Sequence, residues 1–210
     1  MKTYIFDLDN TLYPEEKNVF PLIDARINAY MSHYLKMPAE EVDSLRRRYL
    51  RLYGATMKGL MHHHGVDPED FLTYVHDLDL TGVLGPNPGL RSALHSLPGK
   101  KVVFTNASLE HALRVLQALG LEDLFEHIFD IRTAGYTPKP FSEPYLEILR
   151  RLELFGPECV MVDDLPDNLR TAKKLGMYTV LIGTTDGHGH VDCCVPRACR
   201  IRDALEKLGI

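Results

Sequence analysis

Apolar residues along this chain fall into two kinds of pattern. Residues 3–6 (Thr-Tyr-Ile-Phe), Val102-Val103-Phe104, Cys159-Val160-Met161-Val162 and Tyr178-Thr179-Val180-Leu181-Ile182 are apolar almost throughout instead of alternating with polar positions. A strand buried on both faces of a parallel sheet has that signature. Ile128-Phe129-Asp130-Ile131 adds a further candidate strand, and Val191 to Val195 a short edge segment leading to a final helix. Between these runs the apolar period changes to three or four residues. Leu109, Ala112, Leu113, Leu116 and Leu119 keep it, behind Ser108 as a cap and ahead of Gly120 as a stop. Similar patterns predict helices from about Pro144 to Leu152 and from about Asn168 to Leu175, the latter halted by Gly176. Strands alternating with helices in this way predict an α/β fold on a doubly wound parallel sheet.

That rhythm breaks between residues 15 and 87. Phe20, Ile23, Ile27, Tyr30, Met31 and Tyr34 fall at helical spacing, as do Val42, Leu45, Tyr49 and Leu52. Asp67-Pro68-Glu69-Asp70 is a helix start, with a cap residue, a proline in the first turn and early acids. No strand pattern occurs there, and Gly85-Pro86-Asn87-Pro88-Gly89 marks the exit. The chain therefore divides into a Rossmann-like core, residues 1–14 and 88–210, and an all-helical cap, residues 15–87, inserted after the first strand.

Composition narrows the class. With 45% hydrophobic and 25% charged residues among 210, the chain has the profile of a globular protein, not of a disordered segment or a disulfide scaffold. Lys and Arg total 24 against 29 Asp and Glu, a net charge of -5 and the wrong sign for a protein held on nucleic-acid backbones. No stretch approaches the roughly 18 apolar residues of a membrane-spanning helix. The opening Met-Lys-Thr-Tyr-Ile-Phe-Asp brings in acid before a signal-peptide core can form, so the expected location is the cytoplasm. The cysteines, at 159, 193, 194 and 199, then read as reduced thiols.

In open parallel sheets ligands gather beyond the carboxyl ends of the strands. Asp7, Asp9 and Thr11 follow the first strand, Thr105 and Asn106 the second, and Asp163 and Asp164 the run that starts at Cys159. Lys139 sits in Thr137-Pro138-Lys139-Pro140, just ahead of a helix. Several carboxylates at one point repel one another unless a cation is present. An all-oxygen ligand set suits Mg²⁺, usually shared with a substrate phosphate. Lys139 and Thr105 would supply an ammonium and a hydroxyl for the phosphoryl oxygens. One aspartate can attack phosphorus as a covalent nucleophile, and a second, two residues on, can protonate the leaving oxygen. The chemistry that fits is phosphoryl transfer.

Asp7-Leu8-Asp9-Asn10-Thr11, Thr105-Asn106, Lys139 and Asp163-Asp164 stand in the order of the four motifs of the haloacid dehalogenase-like hydrolase superfamily, which the chain resembles over nearly its whole length. The resemblance implies Asp7 as nucleophile and Asp9 as acid/base, with the substrate phosphate held by Thr105, Asn106 and Lys139. It implies Mg²⁺ served by Asp7, the backbone carbonyl of Asp9, and the pair Asp163 and Asp164. An acid at position 9 separates phosphatases and phosphotransferases from the dehalogenase branch. Asp7 to Tyr13, Tyr53-Gly54 with Gly59-Leu60, Phe104-Thr105-Asn106-Ala107 and Val162-Asp163-Asp164 are more narrowly similar to the pyrimidine 5′-nucleotidase family. That likeness implies a nucleoside monophosphate such as UMP or CMP as the small-molecule partner. The alternative is a sugar-phosphate phosphatase or phosphomutase of the same superfamily. A receiver-like signalling module would carry its acidic motifs in a different order.

Substrate choice falls to the cap, where Tyr13, Tyr53, Thr56 and Lys58 are the candidates. Asp167, in Leu165-Pro166-Asp167-Asn168, is an alternative candidate that could compete for the metal shell. His62-His63-His64 reads as a solvated helix end, since successive helical positions point apart. Arg46, Arg47, Arg48 and Arg51 likewise read as a solvated face. His188, His190, Cys193, Cys194 and Cys199 are zinc-ligand types whose spacing matches no standard paired-ligand pattern.

Overall fold

The computed structural model describes residues 1–184, 187 and 189–210. Strands β1 (Thr3–Phe6), β2 (Lys101–Phe104), β3 (His127–Phe129), β4 (Cys159–Asp163), β5 (Tyr178–Ile182) and β6 (Cys193–Val195) form one parallel sheet in the order β3-β2-β1-β4-β5-β6. The unbroken apolar runs have the expected cause, because successive residues feed two separate cores. Tyr4, Phe6, Val103, Val160 and Val162 pack on one face, while Ile5, Val102, Phe104, Cys159 and Met161 pack on the other.

Between β1 and β2 lie α1 (Val19–His33), α2 (Ala39–Tyr53), α3 (Thr56–His64) and α4 (Pro68–Val75), followed by α5 (Pro88–His95). The remaining helices are α6 (Leu109–Leu119), α7 (Ser142–Leu152), α8 (Pro166–Lys174) and α9 (Ile201–Leu208). No helix among the described residues is long and apolar enough to cross a membrane. Caps set several boundaries. Asp67 accepts the Glu69 and Asp70 amides, Asn87 the Leu90 amide and Ser108 the His111 amide.

Two boundaries depart from the pattern. β3 spans 127–129 rather than 128–131, because the Asp130 carboxylate caps a 3₁₀ turn, Ile131–Ala134, by accepting the Arg132 amide. α8 begins at Pro166, whose fixed φ already suits a first helical position.

The strand order sends the chain from β1 toward one edge and, from β4, toward the other. Loops after β1 and β4 therefore part to opposite faces and open a crevice. In the register of these neighbours Phe6 lies opposite Val162, so Asp7 and Asp163 emerge side by side. The Asp7 amide donates to the Val162 carbonyl at 2.8 Å.

The helices over the crevice are seated by glycines. Gly54 ends α2 at φ +74°, and a Cβ there would lie 3.1 Å from Pro138 Cγ and 3.2 Å from the Lys139 carbonyl oxygen. At Gly59 a Cβ would fall 2.3 Å from Tyr49 Cγ. The Tyr53-Gly54 and Gly59-Leu60 pattern thus joins α2 to α3 and rests α2 on the loop that carries Lys139. Arg132 adds a bidentate pair to Glu69 of α4, both bonds 2.7 Å.

Candidate active site

Lys139 is the hub of the acidic cluster. Its ammonium, 2% exposed as a residue, donates to Asp7 Oδ1 at 2.7 Å, Asp163 Oδ2 at 2.8 Å and the Phe104 carbonyl at 2.9 Å. Burial alone would push its pKa down, but the Asp163 and Asp7 carboxylates more than reverse this and hold it raised. Asn106 fixes the loop behind it. The Asn106 amide accepts the Lys139 N–H at 2.7 Å and donates to the Lys139 carbonyl at 3.1 Å, so both ends of that side chain serve the lysine's backbone. Thr105 is buried beside them, its hydroxyl oxygen accepting the Ala107 amide at 3.0 Å.

Carboxylate oxygens of Asp7, Asp163 and Asp164 lie within 4.8 Å of one another, the grouping among the described residues able to hold a metal. Burial, reinforced by Asp163 and Asp164, pushes the Asp7 carboxyl well above its ordinary value despite Lys139. Burial and then Asp163 push Asp164 up to about 7. Three carboxylates against one ammonium leave two negative charges, which a divalent cation balances. The oxygens are not equally open to it. Asp163 is occupied by Lys139, Asn168 Nδ2 and the Leu165 amide. Asp7 Oδ2 and Asp164 Oδ1 instead meet at the Thr11 hydroxyl, 3.4 Å from each, and retain capacity for a hard cation. Asp167 stands apart, exposed and paired with Arg170 at 2.7 Å.

Removing the hub tests this balance. Lys139→Met is expected to destabilise the metal-free protein by about 3–5 kcal/mol, since it leaves Asp7 and Asp163 buried without their shared counter-charge. Denaturant unfolding in chelator checks it. A loss below about 1 kcal/mol would mean that the acids take up protons and need no partner.

Asp9 belongs to a second network. Its Oδ1 accepts the Tyr13 hydroxyl at 2.5 Å and His111 Nε2–H at 2.9 Å. Burial raises the Asp9 pKa, but the His111 imidazole, its hydrogen bond and that of Tyr13 outweigh this and hold it below the ordinary value. Burial and Asp9 push the Tyr13 phenol upward, so it remains a donor. The ring of His76 stacks on that of His111, 4.7 Å between centroids and 26° between planes. Burial, followed by His111, lowers the His76 pKa to about 3. Neither histidine stands in the motifs quoted above. The available signal was that His111 shares the buried stripe of α6 with Val115 and Leu119.

Asp7, Asp9, Thr105, Asn106, Lys139 and Asp164 all line one cavity of about 370 Å³ beneath the inserted helices. Its far wall is mostly apolar, with Phe20, Ile23, Ile27, Leu50, Met57 and Phe71, and is interrupted by the paired Asp24 and Arg46. Thr56 lines it, whereas Tyr53 and Lys58 do not; the Tyr53 hydroxyl bonds His63 Nε2 at 2.7 Å. Tyr13 faces Asp9 and lines a more open cleft of about 1200 Å³, which reaches Asp164 but not Asp7 or Lys139. The arginine run does not behave as one solvated face. The Arg46 side chain is 14% exposed, pairs with Asp24 and Asp43 and lines the smaller cavity, while Arg47 is 65% exposed. His62, His63 and His64 are exposed, but His63 and His64 bond the hydroxyls of Tyr53 and Tyr49. Of the tail residues, Cys193 and Cys194 form part of β6, His190 donates to the Pro166 carbonyl at 2.7 Å, and His188 lies outside the described residues.

Known proteins resemble this chain in sequence and in fold. The chain is 28% identical over 200 residues to Phosphate metabolism protein 8 of Saccharomyces cerevisiae, covering 86% of this chain but only 61% of that one. It is 26% identical over 201 residues to the Phosphorylated carbohydrates phosphatase of Thermotoga maritima, covering 89% and 88% of the two chains. Among solved structures, a HAD phosphatase from Thermococcus onnurineus superposes with a TM-score of 0.65 over 98% of both chains at 20% identity, a likeness of fold. Residues 1–176 match the haloacid dehalogenase-like hydrolase profile, which takes in the first strand, the inserted helices, Lys139 and the Asp163-Asp164 pair, and the chain belongs to that family of hydrolases.

Proposed function

We propose that the protein hydrolyses small phosphate monoesters through a phosphoryl group carried transiently on Asp7. The observation that carries this reading is that Asp7, bonded to the buried Lys139, opens into the same cavity as Asp9. An Asp7 carboxylate oxygen attacks phosphorus, the bond to the leaving oxygen breaks with its electron pair, and Asp9 supplies the proton that oxygen needs. Water then attacks the same phosphorus, Asp9 takes its proton, and inorganic phosphate departs as the Asp7 carboxylate re-forms. Lys139 and Thr105 hold phosphoryl oxygens, and Asn106 keeps Lys139 in place. Asp7, Asp164 and the Asp9 backbone carbonyl, with Asp163 behind them, would hold Mg²⁺, which neutralises charge on the transferring group. Residues 15–87 act as a cap over the core formed by 1–14 and 88–210, and the cap reads the leaving group.

For that leaving group the first reading is a small phosphorylated carbohydrate, supported by the name of the Thermotoga maritima relative, which this chain matches along most of its length. A second reading, a pyrimidine nucleoside monophosphate, is favoured by the apolar wall of Phe20, Ile23, Ile27 and Leu50, which suits the flat face of a base better than a polyol. Phosphate release from a panel of sugar phosphates, UMP, CMP, AMP and GMP with Mg²⁺ separates them. At least about a tenfold preference in kcat/KM for the sugar esters is expected on the first reading, and the reverse for UMP and CMP on the second. Silence across the panel, with chelator and Mg²⁺ alike, would discard both.

A further inference from the structure

We infer that His111 is a positioning residue that pins the Asp9 carboxyl through Oδ1 and so leaves Oδ2 as the oxygen available for proton transfer. This rests on the proposed role of Asp9 as the acid.

His111 is fully buried, at 0% exposure, in the first turn of α6. Its Nδ1 is buried without a hydrogen-bond partner. A core position filled for packing alone would favour an apolar side chain, which leaves no polar atom stranded. The polar contact this ring does make is the Nε2–H donation to Asp9 Oδ1 at 2.9 Å. Oδ1 accepts whether Asp9 is a carboxylate or an acid protonated on Oδ2, so the partner assigns the hydrogen to Nε2.

The ring is held on its other sides. His76 stacks against it, and His76 Nδ1 lies 3.0 Å from Ser108 Oγ. Ser108 also accepts the His111 amide at 3.3 Å as the cap of α6, so one serine ties both histidines to the helix start. Arg114 donates to the His76 carbonyl at 2.6 Å. The imidazole therefore has a single orientation to offer.

Tyr13 supplies the second donor, and it comes to the same oxygen. Two donors converging on Oδ1 occupy it and leave Oδ2 for the proton. Asp9 lines the cavity that holds Asp7, so a carboxyl pinned in this way keeps one orientation relative to an ester bound there. In the first half-reaction the Oδ2–H bond breaks and the proton passes to the leaving oxygen as the P–O bond opens. An unpinned carboxyl would rotate and place its proton on either oxygen. The defect should show where protonation matters, on a basic leaving group, and not on one that departs as a stable anion.

The test compares His111→Leu, which fills the space without a donor, with His111→Gln, whose amide keeps an N–H near Nε2. Each is assayed with Mg²⁺ on p-nitrophenyl phosphate and on a primary alkyl phosphate, beside Asp9→Asn. His111→Leu is expected to lower kcat on the alkyl ester about 10–100-fold with KM within about twofold, to change kcat on the nitrophenyl ester by less than about threefold, and to be largely rescued in His111→Gln. Equal losses on both esters, or none on either, would overturn the assignment. Should His111→Leu fail to fold, Tyr13→Phe removes the other donor from Oδ1, and the same selective loss is required of it. If Asp9→Asn shows no selectivity, the acid role falls. If Asp9→Asn is selective and the His111 and Tyr13 variants are not, the positioning role falls alone.

Discussion

Asp7→Asn is expected to lower turnover by at least about 10⁴-fold while leaving a folded protein. The variant is nearly isosteric, and its amide oxygen can still accept the Lys139 ammonium that lies 2.7 Å from Asp7 Oδ1. What it loses is the anionic oxygen that attacks phosphorus, and an amide cannot substitute for it. Folding should be no weaker in chelator. Asp7 is buried beside Asp163 and Asp164, whose charges join burial in raising its pKa, so the neutral side chain removes part of that repulsion. Phosphate release and a denaturant midpoint on the same preparation separate the two effects. Turnover within about tenfold of the parent would remove Asp7 from the nucleophile's role, and a collapsed midpoint would make lost activity uninformative.

Such a clean separation is possible because so much of the centre comes from the sheet itself. Thr3–Phe6 and Cys159–Asp163 are buried on both faces, and their apolar runs announce parallel strands. Once those strands are neighbours, the register alone brings Asp7 beside Asp163. Lys139 was legible as a loop cation, but not the way Asn106 uses both ends of its amide to hold the lysine's backbone. Side-chain bonds across 33 residues leave no periodic trace. His111 goes unread in the sequence, and Arg46 reads there as solvated, for a different reason. Each lies on the apolar stripe of its own helix, His111 four residues before Val115 and Arg46 four after Val42. A polar residue in that register signals a buried partner, but the partner's identity belongs to the tertiary structure. Conversely, the Tyr53-Gly54 and Gly59-Leu60 pattern is read in sequence as specificity, whereas Gly54 and Gly59 are explained by close packing against Lys139 and Tyr49.

Mg²⁺ should stabilise the protein far more at pH 8 than at pH 5. In the metal-free protein Asp164 is raised to about 7 and Asp7 is raised as well, both first by burial. The folded state therefore binds more protons than the unfolded chain between the ordinary aspartate value and about 7. Groups shifted this way contribute stability that is complete below the unfolded pKa and is lost as pH rises through the folded one. These two carboxyls alone should thus weaken the fold by on the order of a few kcal/mol from pH 5 to pH 8 in chelator. His76, lowered to about 3 by burial, offsets part of that below about pH 6.5, so the comparison with and without Mg²⁺ at each pH is what isolates the carboxyls. Lys139 does not cancel this, because its raised pKa lies above the window and its charge is unchanged across it. A cation at Asp7 and Asp164 takes the place of the protons, so at pH 8 saturating Mg²⁺ restores the loss, while at pH 5 protons compete with it and little is gained. Thermal melts at the two pH values, with Mg²⁺ and with chelator, read all four states. A Tm that rises equally with Mg²⁺ at both pH values would place the ion away from these carboxylates, and no rise at either would leave the acidic cluster balanced by Lys139 and protons alone.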